Sequence, residues 1–255
     1  MTEPVSLTWW GHATTTIEIA GVRILTDPVL TRRLGHLSRV RGATPDRSAR
    51  DADVVLVSHL HSDHLHVPSI RRVSDRAHVI GPRGSRTVIG GAASLVREVE
   101  PGDAVERSQL TIRAVPAAHD GRRHNRSNVS GSALGFLVEY GRVRIWFAGD
   151  TALFDTMATF APVDLAVVPI GGWGPSLEPS QHMGPEHAAE AVRRTRARYA
   201  VPMHYSTFWP TGTRSVLRSS FERYFVEPAE RFRTAVSATD AEAMIVPIGE
   251  TVHLS

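Results

Sequence analysis

Residues 54–64 read VVLVSHLHSDH, an uninterrupted apolar run that passes directly into three histidines and an aspartate. A run of valine and leucine this dense is expected to be a strand buried on both faces, which commits the chain to covering it from either side. Imidazoles this crowded repel one another once protonated, so the end of that strand is expected to hold something. In an extended segment His59 and His61 point the same way, and Asp63 and His64 follow one tight turn later. Neutral imidazoles and a carboxylate are natural ligands for zinc and similar divalent ions.

The surrounding pattern is rich in short strands. Val5–Trp10, Ala13–Ile19 and Val22–Thr26 are β-branched or aromatic and are split by Gly11 and Gly21, with Asp27-Pro28 stopping the third. An arginine-studded stretch, TRRLGHLSRVRGATPDR (31–47), has no clear period and is expected to be irregular. Further on, helices are expected near Val67–Val73 and Arg83–Ile89, with strands at Ala77–Ile80, Val96–Glu100 and Leu110–Val115. Ala133–Glu139 and Val143–Ala148 read as a hairpin, and Leu165–Pro169 as another buried strand. Glu186–Arg198 places Ala188, Ala191, Val192 and Thr195 on one helical face behind Pro185. Tyr199–Met203 returns as a strand. Helices over Arg214–Phe225 and Ala229–Val236 precede a closing strand pair, Ala243–Pro247 and Thr251–Leu254. Strand-rich stretches in both halves imply an α/β protein of two packed sheets with helices outside.

Composition adds exclusions. The chain has 255 residues, 42% hydrophobic and 22% charged, and no stretch of it reads as a linker, so one domain over 1–255 is expected. All 29 basic residues are arginine, and the net charge of +3 is too weak to argue for nucleic acid. There is no cysteine, which removes disulfides, thiolate nucleophiles and thiolate metal ligands. MTEPVSLTWW is no secretory signal and no run reaches the roughly 18 apolar residues of a membrane span, so a cytoplasmic protein without stable membrane insertion is expected. Formation of a homo-oligomer stays open.

Three more candidate ligands each close an expected strand: His119 after TIRAVPAA, Asp150 after IWFAG and His204 after YAVPM. The series H-x-H-x-D-H, a lone His, an Asp within GDT and a late His resembles the ligand order of the metallo-β-lactamase-fold hydrolases. WWGHATTTIEI, LTDP, FAGDT, VVPIGG, QHMGPEHAAEA and MHYSTF resemble the branch that holds N-acylphosphatidylethanolamine phospholipase D and ascorbate-6-phosphate lactonase. The resemblance implies a four-layer αββα sandwich of two mixed sheets with helices on the outer faces. It also implies two divalent ions, zinc first and manganese or iron as alternatives. His59, His61 and His119 would hold one ion, and Asp63, His64 and His204 the other, with Asp150 bridging. Asp27 would accept the free N–H of a ligating imidazole.

Such a pair of ions generates hydroxide at neutral pH and neutralises charge on a substrate oxygen. A bridging aspartate without cysteine favours a phosphodiester or lactone of a small or lipid-derived substrate over β-lactamase-type amide cleavage. An RNA-processing nuclease of the same fold is the other enzymatic reading, and a metal-binding protein without catalysis the third. Asp63 and His182 are candidate catalytic groups, and His12 is expected to make a structural hydrogen bond. Arg39, Arg41, Arg123, Trp173 and Phe208 are candidate substrate contacts.

Overall fold

A computed structural model describes residues 4–171 and 180–254. The first three expected strands form, as Val5–Gly11, Thr14–Ile19 and Val22–Thr26, and pair as an antiparallel meander. Val54–Leu56, His78–Pro82 and Val96–Val99 then add in parallel, while Thr251–Leu254 closes the other edge against Val5–Gly11. The second seven-stranded sheet runs Glu242–Ala243, Tyr199–Met203, Leu165–Pro169, Val143–Phe147, Leu134–Tyr140, Leu110–Pro116, Ala104–Arg107. Its middle is parallel, and Leu165–Pro169 is buried at every position, as a covered central strand must be.

The two sheets bury a shared core in which Leu7, Ile17, Ile24, Phe136 and Phe147 are fully enclosed. Outside the first sheet, Leu25, Val55, Val57 and Leu65 pack with Ile70 and Ile89 of the short helices Val67–Ile70 and Ser85–Ile89. Outside the second, helix Pro185–Arg194 buries Ala188, Ala191 and Val192, and helix Pro228–Val236 adds Phe232 and Val236. The layers are therefore helix, sheet, sheet, helix. Helix Pro185–Arg194 ends four residues earlier than its apolar face suggested. Thr195 Oγ1 donates back to the Ala191 carbonyl (2.9 Å) and Arg196 turns left-handed, which a helix cannot continue through.

Three expectations are corrected. The arginine-rich stretch is not wholly irregular: Arg33–Leu34 and Leu37–Arg39 form a small sheet with Phe208–Pro210, a pairing invisible to local pattern. The helix over Arg214–Phe225 reduces to Arg218–Phe221 followed by a widened turn, Glu227 N–H donating to the Glu222 carbonyl (3.0 Å). There Phe221 and Phe225 stack at 4.4 Å beneath Trp209. The closing strands do not pair with each other. Glu242–Ala243 joins Tyr199–Met203 and Thr251–Leu254 joins Val5–Gly11, each completing the open edge of a different sheet. Among the described residues no helix is long and apolar enough to cross a membrane.

Candidate metal centre

Strand directions decide where the polar residues meet. Val5–Gly11, Val22–Thr26 and Val54–Leu56 run the same way, because two reversals separate the first from the second and the third is parallel. Leu110–Pro116, Val143–Phe147, Leu165–Pro169 and Tyr199–Met203 share a direction for the same reason. His12, Asp27, the 59–64 loop, His119, Asp150 and His204 all follow the C-terminal ends of these strands. The sheets are joined there: His204 N–H donates to the His12 carbonyl (2.9 Å) and Leu134 N–H to the Ser58 carbonyl (2.8 Å). The approach is close enough to require glycine. A Cβ on Gly149 would stand 2.5 Å from Ser58 Cβ, and one on Gly171 would stand 2.2 Å from the His204 carbonyl oxygen.

Two groups of donors result. His59, His61 and His119 form one, with His59 Nε2 at 2.9 Å and His119 Nε2 at 3.2 Å from His61 Nδ1. His12, Asp63, His64 and His204 form the other, with His64 Nε2 and His204 Nε2 3.2 Å apart. Asp150 lies between: its Oδ2 is 3.2 Å from His64 Nε2, 3.2 Å from His204 Nε2 and 3.6 Å from His182 Nε2.

Four of the five outward nitrogens are anchored, those of His59, His64, His119 and His204. His119 Nδ1 donates to the Gln181 carbonyl (2.9 Å) and His204 Nδ1 to the Gly171 carbonyl (3.1 Å). His64 Nδ1 donates to Asp27 Oδ2 (2.7 Å). Ser58 Oγ gives its one proton to the same Asp27 oxygen (2.6 Å), so toward His59 Nδ1 (2.9 Å) it accepts. With the proton fixed on each of these outer nitrogens, the neutral rings turn lone pairs inward.

Those inward lone pairs test whether a cation fits. In the neutral form that binds a cation, with each outer nitrogen protonated, His64 Nε2 and His204 Nε2 face each other at 3.2 Å with no proton to share. Zinc ligands at 2.0–2.1 Å in a tetrahedron stand about 3.3 Å apart. Asp150 Oδ1 is buried with no hydrogen-bond partner, which for a carboxylate oxygen calls for a positive charge. The residues present fit a metal ion.

The field around the groups is uneven. Burial, with His64 and His119 nearby, holds His59 well below the ordinary imidazole value, and burial takes His119 down to about 4. Burial also opposes charge on His64, but Asp150, Asp63 and Asp27 outweigh it and raise the ring well above that value. His204 is raised by Asp150 against the same burial. Burial would lift the Asp150 carboxyl, yet His204 and His64 keep it well below the usual carboxylate range.

Residues 22–205 match the family model of the beta-lactamase superfamily domain. The chain belongs to that superfamily. A protein of Thermococcus onnurineus named a metal-dependent hydrolase is 33% identical over 220 residues, 81% of this chain and 86% of that one. The N-acyl-phosphatidylethanolamine-hydrolyzing phospholipase D 1 of Caenorhabditis elegans is 29% identical over 276 residues, 95% of this chain and 74% of that one. A metallo hydrolase of the archaeon Ignicoccus hospitalis superposes with a TM-score of 0.75 at 24% identity, 99% of each chain covered, which shows the metallo-β-lactamase fold.

In this superfamily member the seven expected ligands are brought together, and Asp27 accepts from His64 as expected. Other expectations change. The structural hydrogen bonds of His12 are made by its backbone, whereas its ring lies inside the second group, Nε2 3.2 Å from Asp63 Oδ2. Arg39 is not placed to meet a substrate: it is buried, with Nη1 donating to the Trp10 carbonyl (2.8 Å) and its plane over Phe208. Phe208 is likewise buried, with Val29, Leu34 and Leu37. Arg41 donates to Ser206 Oγ (2.8 Å), and Trp173 lies outside the described residues.

Arg123 binds the Leu60 and Leu65 carbonyls (2.7 and 2.8 Å), fastening the ligand loop, and also lines the cleft outside it. His66 faces Ser69 Oγ (2.7 Å) rather than the centre. Sequence reasoning missed Ser58, Gln181 and Gly171. Two of these act through backbone carbonyls, which every residue has; only the serine beside His59 was a visible signal.

Proposed function

We propose that this chain is a metal-dependent hydrolase holding two divalent ions, zinc foremost. His59, His61 and His119 hold one, Asp63, His64 and His204 the other, and Asp150 spans them. The bond cleaved is of ester type, a phosphodiester or lactone of a small or lipid-derived substrate. The carrying observation is that four imidazoles have their outer nitrogens anchored, two by carbonyls, one by Ser58 and one by Asp27, and so aim lone pairs at two adjacent points.

When bound, the ions supply a nucleophile at neutral pH and offset charge on the substrate oxygen. The remaining work falls to the chain. Asp63, the more exposed of the two central carboxylates, borders an open cleft of about 480 Å³ with His61, Ser62, Arg123, His124 and Arg126. Its oxygen accepts a hydrogen bond from the attacking group and so orients it, and Arg123 and Arg126 draw in an anionic substrate. His182 stands beside Asp150 and His119, its Nδ1 buried without a partner, and donates to the leaving oxygen. The phospholipase named above supports the phosphodiester choice.

Elemental analysis of properly loaded protein should give close to two equivalents of metal per chain. Bis-p-nitrophenyl phosphate or a lactone should then turn over faster than a cephalosporin, and His61→Ala should abolish that turnover. A metal-free protein, or unchanged turnover in His61→Ala, rejects the reading.

A further inference from the structure

The second group contains a histidine that the proposed ligand set leaves unused. The backbone of His12 is fixed from three sides: N–H donates to Thr207 Oγ1 (2.7 Å), and the carbonyl accepts from Trp9 Nε1 (3.0 Å) and His204 N–H (2.9 Å). These bonds hold it at φ +54°, a left-handed conformation that costs a residue with a side chain about 1–3 kcal/mol. His204 beside it is left-handed too, at φ +59°.

What that backbone fixes is the placement of a ring. The His12 imidazole lies 4.2 Å from the His204 ring and 5.2 Å from the His64 ring, centroid to centroid. Its Nε2 is 3.2 Å from Asp63 Oδ2, yet it is buried without a properly directed hydrogen bond. One ring nitrogen each of His12, His64 and His204 and an Asp63 oxygen all lie within 4.8 Å of one another. A nitrogen this enclosed, off-axis to the one acceptor beside it and level with two inward lone pairs, has the surroundings of a ligand atom.

We propose that His12 is a direct ligand of the second ion, an inference that rests on the two-ion reading above. The second position then has three imidazoles and Asp63 besides the shared Asp150. The first has three imidazoles and Asp150, with His182 beside His119 and Asp150.

Stepwise loading of the metal-free protein with cobalt(II), followed by its visible spectrum and by competition with a chromophoric chelator, tests this. His12→Gly keeps the left-handed backbone without strain, and His12→Asn, which also tolerates it, serves as the second variant. Wild type should bind two equivalents. Both variants should bind the first unchanged and the second about 10–100-fold more weakly, with a displaced absorption band. Added imidazole should restore band and affinity in His12→Gly alone. A second equivalent bound with the wild-type spectrum overturns the proposal, whether or not its affinity falls, because His12 would then act only through Asp63. Fewer than two equivalents in wild type overturns the two-ion reading with it.

Discussion

The two donor groups sit side by side at one sheet edge and are built on opposite electrostatic plans. Around the first, His59, His61 and His119 are imidazoles that burial keeps neutral, the last two half-exposed toward the cleft. Around the second, His64 and His204 are buried among Asp27, Asp63 and Asp150, and the carboxylates raise both rings, although burial holds His12 beside them down to about 4. Identical side chains thus meet a cation in different states: the first group is ready for it, and in the second a proton competes with it.

The comparison breaks most severely at Asp27, which holds His64 of the second group directly and reaches His59 of the first only through Ser58. Its carboxylate takes Ser58 N–H (2.7 Å), Ser58 O–H (2.6 Å) and His64 Nδ1–H (2.7 Å) while fully buried. Asp27→Ala strands all three donors and should cost about 3 kcal/mol or more in urea unfolding, with loss of the second metal equivalent before the first.

A sharper and smaller effect is proton release. The carboxylates around His64 raise it, so a proton competes with the ion for that ring more strongly than for His59 or His119. His59 and His119 are lowered and lose none. Affinity of the second equivalent should therefore climb with pH until His64 has titrated, while that of the first stays flat around neutrality. Calorimetry in two buffers of unlike ionisation enthalpy reads the difference directly; equal proton release by both equivalents would contradict it.

The smallest effect concerns the rim beside the first group. Arg126 lines the cleft and is exposed, so Arg126→Ala should raise KM for an anionic ester about two- to fivefold and leave kcat alone.

Much of this was legible because strands and ligands share one grammar. Short β-branched runs ending in His or Asp set both the sheets and the convergence of His59, His119, Asp150 and His204. The buried alanine face of Pro185–Arg194 was equally plain. Pairings between distant segments left no local trace, so Leu37–Arg39 against Phe208–Pro210 went unseen and the last two strands were wrongly paired with each other. Arg39 reads as a substrate contact because sequence shows a guanidinium's sign and not the Trp10 and Val29 carbonyls that it meets. His12 misled in another way: its backbone does keep the fold, which hid what its ring is turned toward.

The seam between the sheets has one more consequence. His12, His59, His61, Asp63 and His64 hang from the N-terminal sheet, and His119, Asp150 and His204 from the C-terminal one. Any ion gripped by both is a rivet through the sandwich, and pulling it out should let the two slabs loosen from that rim inward.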